Sequence, residues 1–435
     1  MIASTINPFA VCHLNSNLYD ADGQCKIDAM QLETTCHTHT VVVGAGLTGI
    51  SAAWHLAQAG VPVVVLEARE VGFGASGRNG GQLNAGLKNS HTQTLQRFGA
   101  VHGERFWALA HSAPTELVRL IQTLAIDCEL SLGGTLKASR LLKLKPTAPA
   151  AGADASEWCD AERMYALTGS RYYAEGEFDP KGATLQPKRL ILEWAKRCVR
   201  QGVQIFANTP ALRIIRAPGC YRVETPHGSV IADNLVQATD GYSDHLWPKL
   251  KQSIIPLYSC MVASEPLPAE LSAQILPKRP AVYETQRVTV YYRKDAAGRL
   301  LLGGRGPQRE LRSPADVRPI IQHALKLWPQ LHAVRMTHAW NGQFALTTDF
   351  YPRLHRPAPR VWIGLGYSGR GVAMAVAMGR QIANSVQGMP DADLMVPITA
   401  IKPLRGHRYW PWGVWFNTHR YALQDAWDRL RHQRR

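Results

Sequence analysis

The chain has 435 residues, 46% of them hydrophobic, and a formal net charge of +16. This length suits two or three domains with a substantial apolar core. No run approaches the roughly 18 apolar residues of a membrane-spanning helix, and the first residues lack the basic and apolar regions of a secretory signal. We therefore expect a globular cytoplasmic protein whose positive charge suits an anionic substrate, a membrane surface or a nucleic acid.

The cysteines do not indicate a disulfide framework or a metal site. The eight cysteines are dispersed and form no C-x-x-C pair, which favours reduced thiols. A loose cluster near the N-terminus has cysteine spacings unlike those of a zinc site, so we expect no metal. Its members are Cys12, His13, Cys25, Cys36, His37 and His39. Residues 1–35 show no clear periodicity, which predicts an extended arm.

Residues 40–67 contain a β-branched run, a glycine turn, an apolar helix and a second β-branched run that ends at Glu67. Gly44, Gly46 and Gly49 have the G-x-G-x-x-G spacing, which provides a tight turn, a close approach to a pyrophosphate and close packing of helix on strand. Glu67 is placed to accept hydrogen bonds from both ribose hydroxyls and would repel a 2′-phosphate. This βαβ unit predicts a site for FAD or NAD.

The loop after this unit favours FAD. Residues 72–82, GFGASGRNGGQ, are polar and rich in glycine, and such a loop can wrap a pyrophosphate and reach a flavin. With this loop the chain resembles the glycine and D-amino-acid oxidase family of FAD-dependent oxidoreductases, most closely the branch that contains gamma-glutamylputrescine oxidoreductase. The resemblance continues in pieces to about residue 393.

The middle of the chain alternates helical and strand-like patterns. The predicted elements are a helix over residues 95–124, a strand over 135–138, a surface loop over 143–155, a helix from Pro187 to Gly202, a strand over 203–206, a hairpin over 212–225 and a strand over 235–239. Residues 246–335 predict an antiparallel sheet, with strands over 254–263, 282–293 and 300–304, covered by a helix over 320–328. The resemblance implies that this sheet holds the substrate over the flavin ring.

These elements predict an α/β fold class. A Rossmann-like FAD-binding domain, with a parallel sheet that is discontinuous in sequence, would lie beside an α+β substrate domain with an antiparallel sheet. The predicted boundaries are an N-terminal arm over 1–35, the FAD-binding domain over 36–90, 180–245 and 336–395, the substrate domain over 91–179 and 246–335, and a basic aromatic tail over 396–435.

A second glycine motif lies near the end of the resemblance. Gly364, Gly366 and Gly369 repeat the G-x-G-x-x-G spacing, but the helix that follows leads into a Gly/Pro loop, so a second NAD-binding unit is disfavoured. The resemblance implies that GYSGRG instead brings a helix N-terminus to the pyrimidine edge of the flavin, where the dipole stabilises the negative charge of reduction. Arg370 would add to this charge stabilisation or simply face solvent.

Motifs and resemblance together imply an FAD site that is built from six short segments of the chain. Its predicted residues are Gly44, Ala45, Gly46, Leu47, Thr48, Gly49, Glu67, Ala68, Ser76, Gly77, Arg78, Asn79, Gly80, Gly81, Gln82, Ala211, Ala238, Thr239, Gly366, Tyr367, Ser368, Gly369, Arg370 and Gly371. Asp240 stands where the family often has Asn, which leaves a contact there in question.

The resemblance also implies the reaction. A hydride would pass from the carbon next to nitrogen of an amine or amino acid, such as gamma-glutamylputrescine or a related amine, to flavin N5. Water would hydrolyse the resulting imine, and the electrons would pass to oxygen or another acceptor. Such a reaction needs positioning more than an acid/base pair. The candidate residues are Tyr291, Arg305 and Gln343; strand alternation places Tyr292 on the face opposite Tyr291 and Arg293.

The C-terminal tail admits a second function. Phe416, Leu423, Trp427 and Leu430 share one face of a predicted helix, flanked by Arg420, Arg429, Arg431 and Arg434. Such a face can bind an anionic membrane, as in a D-amino-acid-type dehydrogenase that feeds a quinone, but more commonly packs on its own protein or on a partner subunit. An RNA-modifying flavoprotein is a third alternative, disfavoured because no RNA-binding fold is evident, and a fourth is a non-catalytic FAD-binding protein.

Overall fold

A computed structural model of the protein describes residues 7–20, 27–141, 156–286 and 289–433. The surface loop predicted over 143–155 lies outside these residues. In chain order the strands are β1 (Val11–Leu14), β2 (Thr35–Val43), β3 (Val63–Leu66), β4 (Gln82–Leu83), β5 (Thr135–Ser139), β6 (Glu157–Asp160), β7 (Glu175–Asp179), β8 (Ala183–Thr184), β9 (Gln204–Phe206), β10 (Arg213–Ala217), β11 (Cys220–Glu224), β12 (Ser229–Gln237), β13 (Ile255–Pro266), β14 (Ala281–Glu284), β15 (Tyr291–Lys294), β16 (Arg299–Arg305), β17 (Met336–Leu346), β18 (Arg353–Ala358) and β19 (Val361–Leu365).

The helices separate these strands into groups. They are α1 (Leu47–Gln58), α2 (His91–Phe98), α3 (Ala100–Thr123), α4 (Ala161–Thr168), α5 (Pro187–Arg200), α6 (Ala269–Gln274), α7 (Arg318–Leu327), α8 (Gly371–Val386) and α9 (Trp410–Gln433). None of these helices, over the stretches that the structure describes, combines the length and the apolar character needed to cross a bilayer.

An eight-stranded sheet confirms the predicted dinucleotide-binding fold. Its parallel strands lie in the order β9-β3-β2-β12-β19, and the antiparallel strands β10, β11 and β18 extend it. Apolar side chains of α1, α3, α5 and α8 pack on one face. The other face packs against the segment around Leu250 and Ile254. Both faces are covered, as the continuous β-branched runs of β2 and β3 require.

A nine-stranded, mainly antiparallel sheet forms the second half of the molecule. Its order is β1-β17-β13-β16-β15-β14-β5-β7-β6. One face packs under α7 and α4. The opposite face carries a smaller apolar cluster that includes Tyr19, Met261 and Trp340, and it lies against the glycine-rich loop of residues 72–82. The sheet therefore places this second face beside the first βαβ unit.

Three predicted elements differ from the structure. The helix predicted over 95–124 is wrong as a single element, because Gly99 has a φ of +80° and separates α2 from α3. The strand predicted over 282–293 is two strands, β14 and β15, which pair with each other as a hairpin. The arm predicted to be merely extended contains β1, which pairs in parallel with β17.

The domain boundaries stay a prediction. Strand β17 pairs in the nine-stranded sheet, although its residues fall in the range assigned to the FAD-binding domain. Cys12 and His13 lie on β1, whereas Cys36, His37 and His39 lie on β2 in the other sheet. Within the part of the chain that the structure describes, no three His, Cys, Asp or Glu side chains converge as a metal site would require.

We predict that Gly379→Ala destabilises the protein. A Cβ at Gly379 would lie 2.5 Å from Cβ of Ser51 and from the carbonyl oxygen of Thr48, where α8 crosses α1. Overpacking of this kind costs about 1–3 kcal/mol, which offsets the helix-propensity gain of about 1 kcal/mol. Thermal unfolding measures the effect. The matched change Gly413→Ala meets no atom within 4 Å and should leave the midpoint unchanged or raise it; equal midpoints for both variants would contradict the packing argument.

Candidate active site

The first glycine turn leaves no room for side chains. Gly44 has a φ of +106°, and a Cβ there would lie 2.7 Å from the carbonyl oxygen of Ala238. A Cβ at Gly49 would lie 1.9 Å from the carbonyl oxygen of Gly44. The first turn of α1 is Leu-Thr-Gly-Ile, so the N-terminal end of this helix dipole meets no acidic side chain of its own turn. The turn and the helix end together form a site that favours an anion.

Glu67 lies directly beside this turn. Its Oε2 accepts a hydrogen bond from the backbone N–H of Ala45 at 2.8 Å, and its Oε1 accepts one from that of Arg69 at 3.1 Å. Burial raises the pKa of Glu67, while these N–H groups and that of Ala68 favour the carboxylate. The backbone N–H of Thr209, two residues before Ala211, donates to the carbonyl of Glu67 at 2.8 Å. The carboxylate is thus held directly after the end of β3, and a ribose-binding role for it stays a prediction.

The glycine-rich loop of residues 72–82 is held by its carbonyl groups. Five successive carbonyl oxygens accept hydrogen bonds from remote parts of the chain: Gly77 from Asn17 Nδ2 (3.0 Å), Arg78 from Trp340 Nε1 (2.9 Å), Asn79 from Tyr19 Oη (3.1 Å), Gly80 from Arg293 Nε (2.6 Å) and Gly81 from the backbone N–H of Leu185 (2.9 Å). The negative ends of these peptide dipoles are therefore directed at protein donors.

Side chains within the loop tie it to the first βαβ unit and to itself. Ser76 Oγ accepts the backbone N–H of Leu47 at 2.9 Å. The amide of Asn79 donates to the carbonyls of Ala75 and Ser76 and accepts from the backbone of Gly81. Two further side chains point elsewhere: Arg78 Nε donates to the carbonyl of Phe73, and Gln82 Nε2 donates to the carbonyls of Val282 and Tyr292.

The second glycine motif meets the first βαβ unit. The hydroxyls of Tyr367 and Thr48 are 2.5 Å apart, and Gly366 and Gly369 have φ of +83° and +89°. Asp240 fixes the approach, because its Oδ1 accepts from the backbone N–H of Gly366 at 2.8 Å and its Oδ2 from that of Ala345 at 3.1 Å. Burial raises the pKa of Asp240. Its carboxylate therefore holds the motif through backbone contacts.

The remaining predicted residues of this motif lie close by. Ser368 Oγ donates to the carbonyl of Gly366, and Thr239 Oγ1 contacts Ser243 Oγ at 2.8 Å. The first turn of α8, which starts at Gly371, is Gly-Val-Ala-Met. Arg370 donates to the carbonyls of Ala85 and Leu87 at 3.1 Å and 2.9 Å, so its guanidinium is held by a neighbouring loop and does not simply face solvent.

Tyr291 and Arg305 lie on the face of the nine-stranded sheet that meets the glycine-rich loop. The ring of Tyr291 lies over Gly303 and against Gly80, where an added Cβ would come within 2.1 Å and 2.7 Å of it. Its hydroxyl is 2.9 Å from Ser259 Oγ. Burial raises the pKa of Tyr291 to about 12, so the phenol stays protonated at neutral pH. Arg305, two residues after Gly303 on β16, is on the same face.

The structure does not bring Gln343 to this pair. On β17, Trp340 and Gly342 contact Arg78 of the glycine-rich loop. Gln343 is one residue out of phase with them, so strand alternation turns its side chain to the other face. Tyr292 likewise points away, since its ring packs against Trp328 below the sheet. Arg293, on the same face as Tyr291, instead donates to the loop carbonyl of Gly80.

A cluster of three cations borders this face. Lys88 Nζ lies 5.2 Å from the centre of the Phe350 ring and 3.9 Å from the position that a Cβ on Gly369 would take. Although Lys88 keeps exposed surface, desolvation together with the charges of Arg370 and Arg305 lowers the pKa of its ammonium to about 8. Lys88, Arg305 and Arg370 are called the cationic cluster below.

Sequence reasoning missed several of these residues. Asn17 and Tyr19 come from the arm, and Ser259 and Lys88 from segments without a motif. No local pattern marks them, because each acts through a partner distant in sequence. In the sequence, Asp240 stands out only as a departure from the family. In the structure, its carboxylate accepts hydrogen bonds from two backbone N–H groups and so fixes the second glycine motif.

This geometry defines the class of protein. A family model described as DAO, FAD-dependent oxidoreductase, matches residues 39–385. The chain therefore belongs to this family of FAD-dependent oxidoreductases, which act on amines or amino acids.

Individual relatives agree with the assignment. The chain is 30% identical over 389 residues to a probable oxidoreductase, OrdL, of Haemophilus influenzae, covering 86% of this chain and 89% of that protein. It is 30% identical over 376 residues to gamma-glutamylputrescine oxidoreductase of Escherichia coli, covering 85% and 87%. The crystal structure of glycine oxidase from Geobacillus kaustophilus superposes with a TM-score of 0.71 at 18% identity, covering 84% of this chain and all of that one.

The residues present fit FAD. The first glycine turn is packed too closely for side chains, since a Cβ at Gly44 or Gly49 would overlap a backbone carbonyl oxygen. The N-termini of α1 and α8 have no acidic residue in their first turns, which favours anionic groups there, and Glu67 is held as an acceptor. The loop carbonyls are paired with protein donors, so none of these five is left to repel a pyrophosphate.

We predict that Glu67→Gln weakens FAD binding by roughly ten- to hundredfold. Hydrogen bonds to a charged acceptor are worth about 1.5–3 kcal/mol, and the amide keeps the shape of Glu67 while removing its charge. Titration of the apoprotein with FAD measures the change. Glu70→Gln, at an exposed side chain three residues away, should bind FAD like the wild type. Equal affinities for all three proteins would contradict a ribose-binding role for Glu67.

Proposed function

We propose that the protein oxidises an amine that also carries a carboxylate, of the kind represented by gamma-glutamylputrescine, and passes the electrons to oxygen. The observation that carries the proposal is the contact of Tyr291 with Gly80, which brings the nine-stranded sheet onto the glycine-rich loop. Bound FAD would supply the chemistry by accepting a hydride from the carbon next to nitrogen. The protein's own residues hold, orient and desolvate the reactants.

In this proposal, different site residues bind different parts of the cofactor. Glu67 would hold the ribose hydroxyls, and the N-terminus of α1 with Ser76 and the loop backbone would hold the pyrophosphate. The N-terminus of α8 would lie near the pyrimidine edge of the flavin, where its dipole would stabilise negative charge. Tyr367 and Asp240 keep α8 against α1, so the two ends of the cofactor site keep their spacing.

The cationic cluster supports a substrate with a carboxylate. An arginine or a lysine binds a carboxylate by charge-assisted hydrogen bonds, and gamma-glutamyl amines carry such a group. The same positive charges lower the pKa of a nearby amine. They therefore favour the neutral amine, whose nitrogen lone pair must be free when hydride leaves the adjacent carbon. A free polyamine, with several positive charges and no carboxylate, would be repelled.

Tyr291 acts by position in this proposal. With a pKa of about 12, its phenol does not serve as a base near neutral pH, but it can donate or accept a hydrogen bond. Ser259 orients the hydroxyl, and the Gly80 and Gly303 backbones orient the ring. The ring would therefore form a rigid wall of the substrate site. In this role Tyr291 would not need to transfer a proton.

We predict that a gamma-glutamyl amine bleaches the flavin of the purified protein in the absence of oxygen. The measurement is an anaerobic titration that follows flavin absorbance near 450 nm, with gamma-glutamyl amines, polyamines and D-amino acids compared. Recovery of colour on admitting air identifies an oxidase. Bleaching that air does not reverse identifies a dehydrogenase, and failure of every amine to bleach bound flavin contradicts the proposal.

We also predict that carboxylate binding weakens above about pH 8, where Lys88 loses its proton. Butyrate has no amine and stays ionised across this range, so its dissociation constant isolates the effect. It should rise severalfold between about pH 7 and pH 9 in the wild type, as measured by the perturbation of flavin absorbance. Lys88→Met should bind butyrate weakly at every pH, and Lys88→Arg tightly at every pH. The same pH dependence in the wild type and in Lys88→Met would remove Lys88 from the substrate site.

A further inference from the structure

The start of helix α9 is attached to the rest of the protein by one side only. Before the helix, the backbone N–H of Leu404 donates to the carbonyl of Gln252 at 2.8 Å, and His407 Nε2 lies 2.9 Å from the carbonyl of Ile254. In the helix, Arg305 donates to Thr418 Oγ1 at 3.2 Å. Among residues 410–421, the partly buried ones are 410, 414, 418 and 421, which recur at helical spacing and mark the attached side.

The opposite side of α9 is an exposed apolar surface. Tyr409, in the turn directly before α9, and Trp412, Trp415, Phe416 and Leu423 in the helix are exposed to between 56% and 73%. At 100° per residue, Trp412, Phe416 and Leu423 fall within about 40° of one another, and Trp415 lies about 60° to one side. These five residues are called the α9 aromatic face. Phe416 and Leu423 belong to the predicted helix face, and neither packs on its own protein; packing of that face on a partner subunit stays a prediction.

The charges around this face identify what it can bind. The sequence from residue 394 to residue 424 contains no Asp or Glu and includes Lys402, Arg405, Arg408 and Arg420, all of them exposed. A second copy of the chain would bring these like charges together. An anionic lipid surface complements them, and its interface accommodates Trp and Tyr rings that have one apolar and one wet end. The face is also a convex ridge of a single helix, a shape that suits a bilayer surface.

We propose that the α9 aromatic face binds the surface of an anionic lipid bilayer, with the helix axis lying in the plane of the interface. The aromatic rings enter the boundary between headgroups and acyl chains, and the flanking cations contact lipid phosphates. Because Arg305 joins α9 to the proposed substrate face, the cationic cluster lies close to the membrane surface in the bound protein. This proposal goes beyond the proposed function and does not depend on it.

Co-sedimentation of the full-length flavoprotein with vesicles tests the proposal. Vesicles of phosphatidylcholine with about one third phosphatidylglycerol should bind the protein at least about tenfold more tightly than vesicles of phosphatidylcholine alone, and salt should weaken this binding. The triple variant Trp412→Ser, Phe416→Ser and Leu423→Ser should lose about tenfold or more in affinity. The variant Arg408→Gln with Arg420→Gln should lose the preference for anionic vesicles.

A matched control separates vesicle binding by this face from nonspecific binding by any exposed apolar residue. Val101, Leu132 and Leu212 are exposed apolar residues elsewhere on the surface, and replacing all three by Ser should leave vesicle binding unchanged. Flavin content and thermal unfolding verify that each variant is folded. Absence of binding to either vesicle overturns the proposal, as does equal binding by the triple variant. Self-association that the triple variant abolishes, without vesicle binding, would assign the face to a second copy of the chain and also overturn it.

Discussion

The active site depends on how the backbone of one glycine-rich loop is satisfied. A buried peptide carbonyl without a partner costs about as much as a lost hydrogen bond, and this loop presents five in succession. The donors that pair with them come from the arm, from strands β15 and β17 of the nine-stranded sheet, and from the segment between β8 and α5. The glycine-rich loop and the nine-stranded sheet are consequently held together as one unit. A shift of either would leave carbonyl groups unpaired on the side away from the cofactor.

The features that could be predicted from the sequence are local ones. The first βαβ unit, Glu67 and the second glycine motif are each encoded within a few tens of residues, where turn sterics and strand length leave few choices. The parallel sheet, the α5 helix and the hairpin of β10 and β11 followed from the same short-range patterns. The FAD family was evident for this reason, and the eight-stranded sheet bears it out.

The features that could not be predicted depend on distant partners. Tyr19 and Arg293 hold loop carbonyls 60 and 213 residues away along the chain, and nothing in their neighbourhoods announces these contacts. Gln343 lies in a segment that resembles the family, but the resemblance does not give its position in the alternation of β17. That alternation determines the face of the sheet on which its side chain lies. Gly99 interrupts an otherwise helical pattern because its positive φ cannot continue a helix, a choice that periodicity alone does not reveal.

The two faces of the nine-stranded sheet differ in chemistry. Toward the loop lie Tyr291, Arg293 and Arg305, with glycines beneath the Tyr291 ring. On the other face, Tyr173, Tyr292 and His323 converge on Glu284, with Tyr173 Oη and His323 Nε2 at 2.7 Å and 2.6 Å from its carboxylate. Helix α7 covers this second group. The hydrogen bonds of the group stiffen β15, the strand that carries Tyr291. Alternation along β15 thus separates this rigid polar group from the face that meets the glycine-rich loop.

The pairing of β1 with β17 sets an order of assembly. Strands β1 and β17 pair although they lie more than 300 residues apart in the sequence. The segment of the arm that follows β1 supplies Asn17 and Tyr19 to the glycine-rich loop. During synthesis the first βαβ unit can fold early, because its contacts are local. The arm has no edge to join until β17 has left the ribosome. The earliest residues of the chain are therefore among the last to settle, and the cofactor loop acquires its final shape near the end of translation.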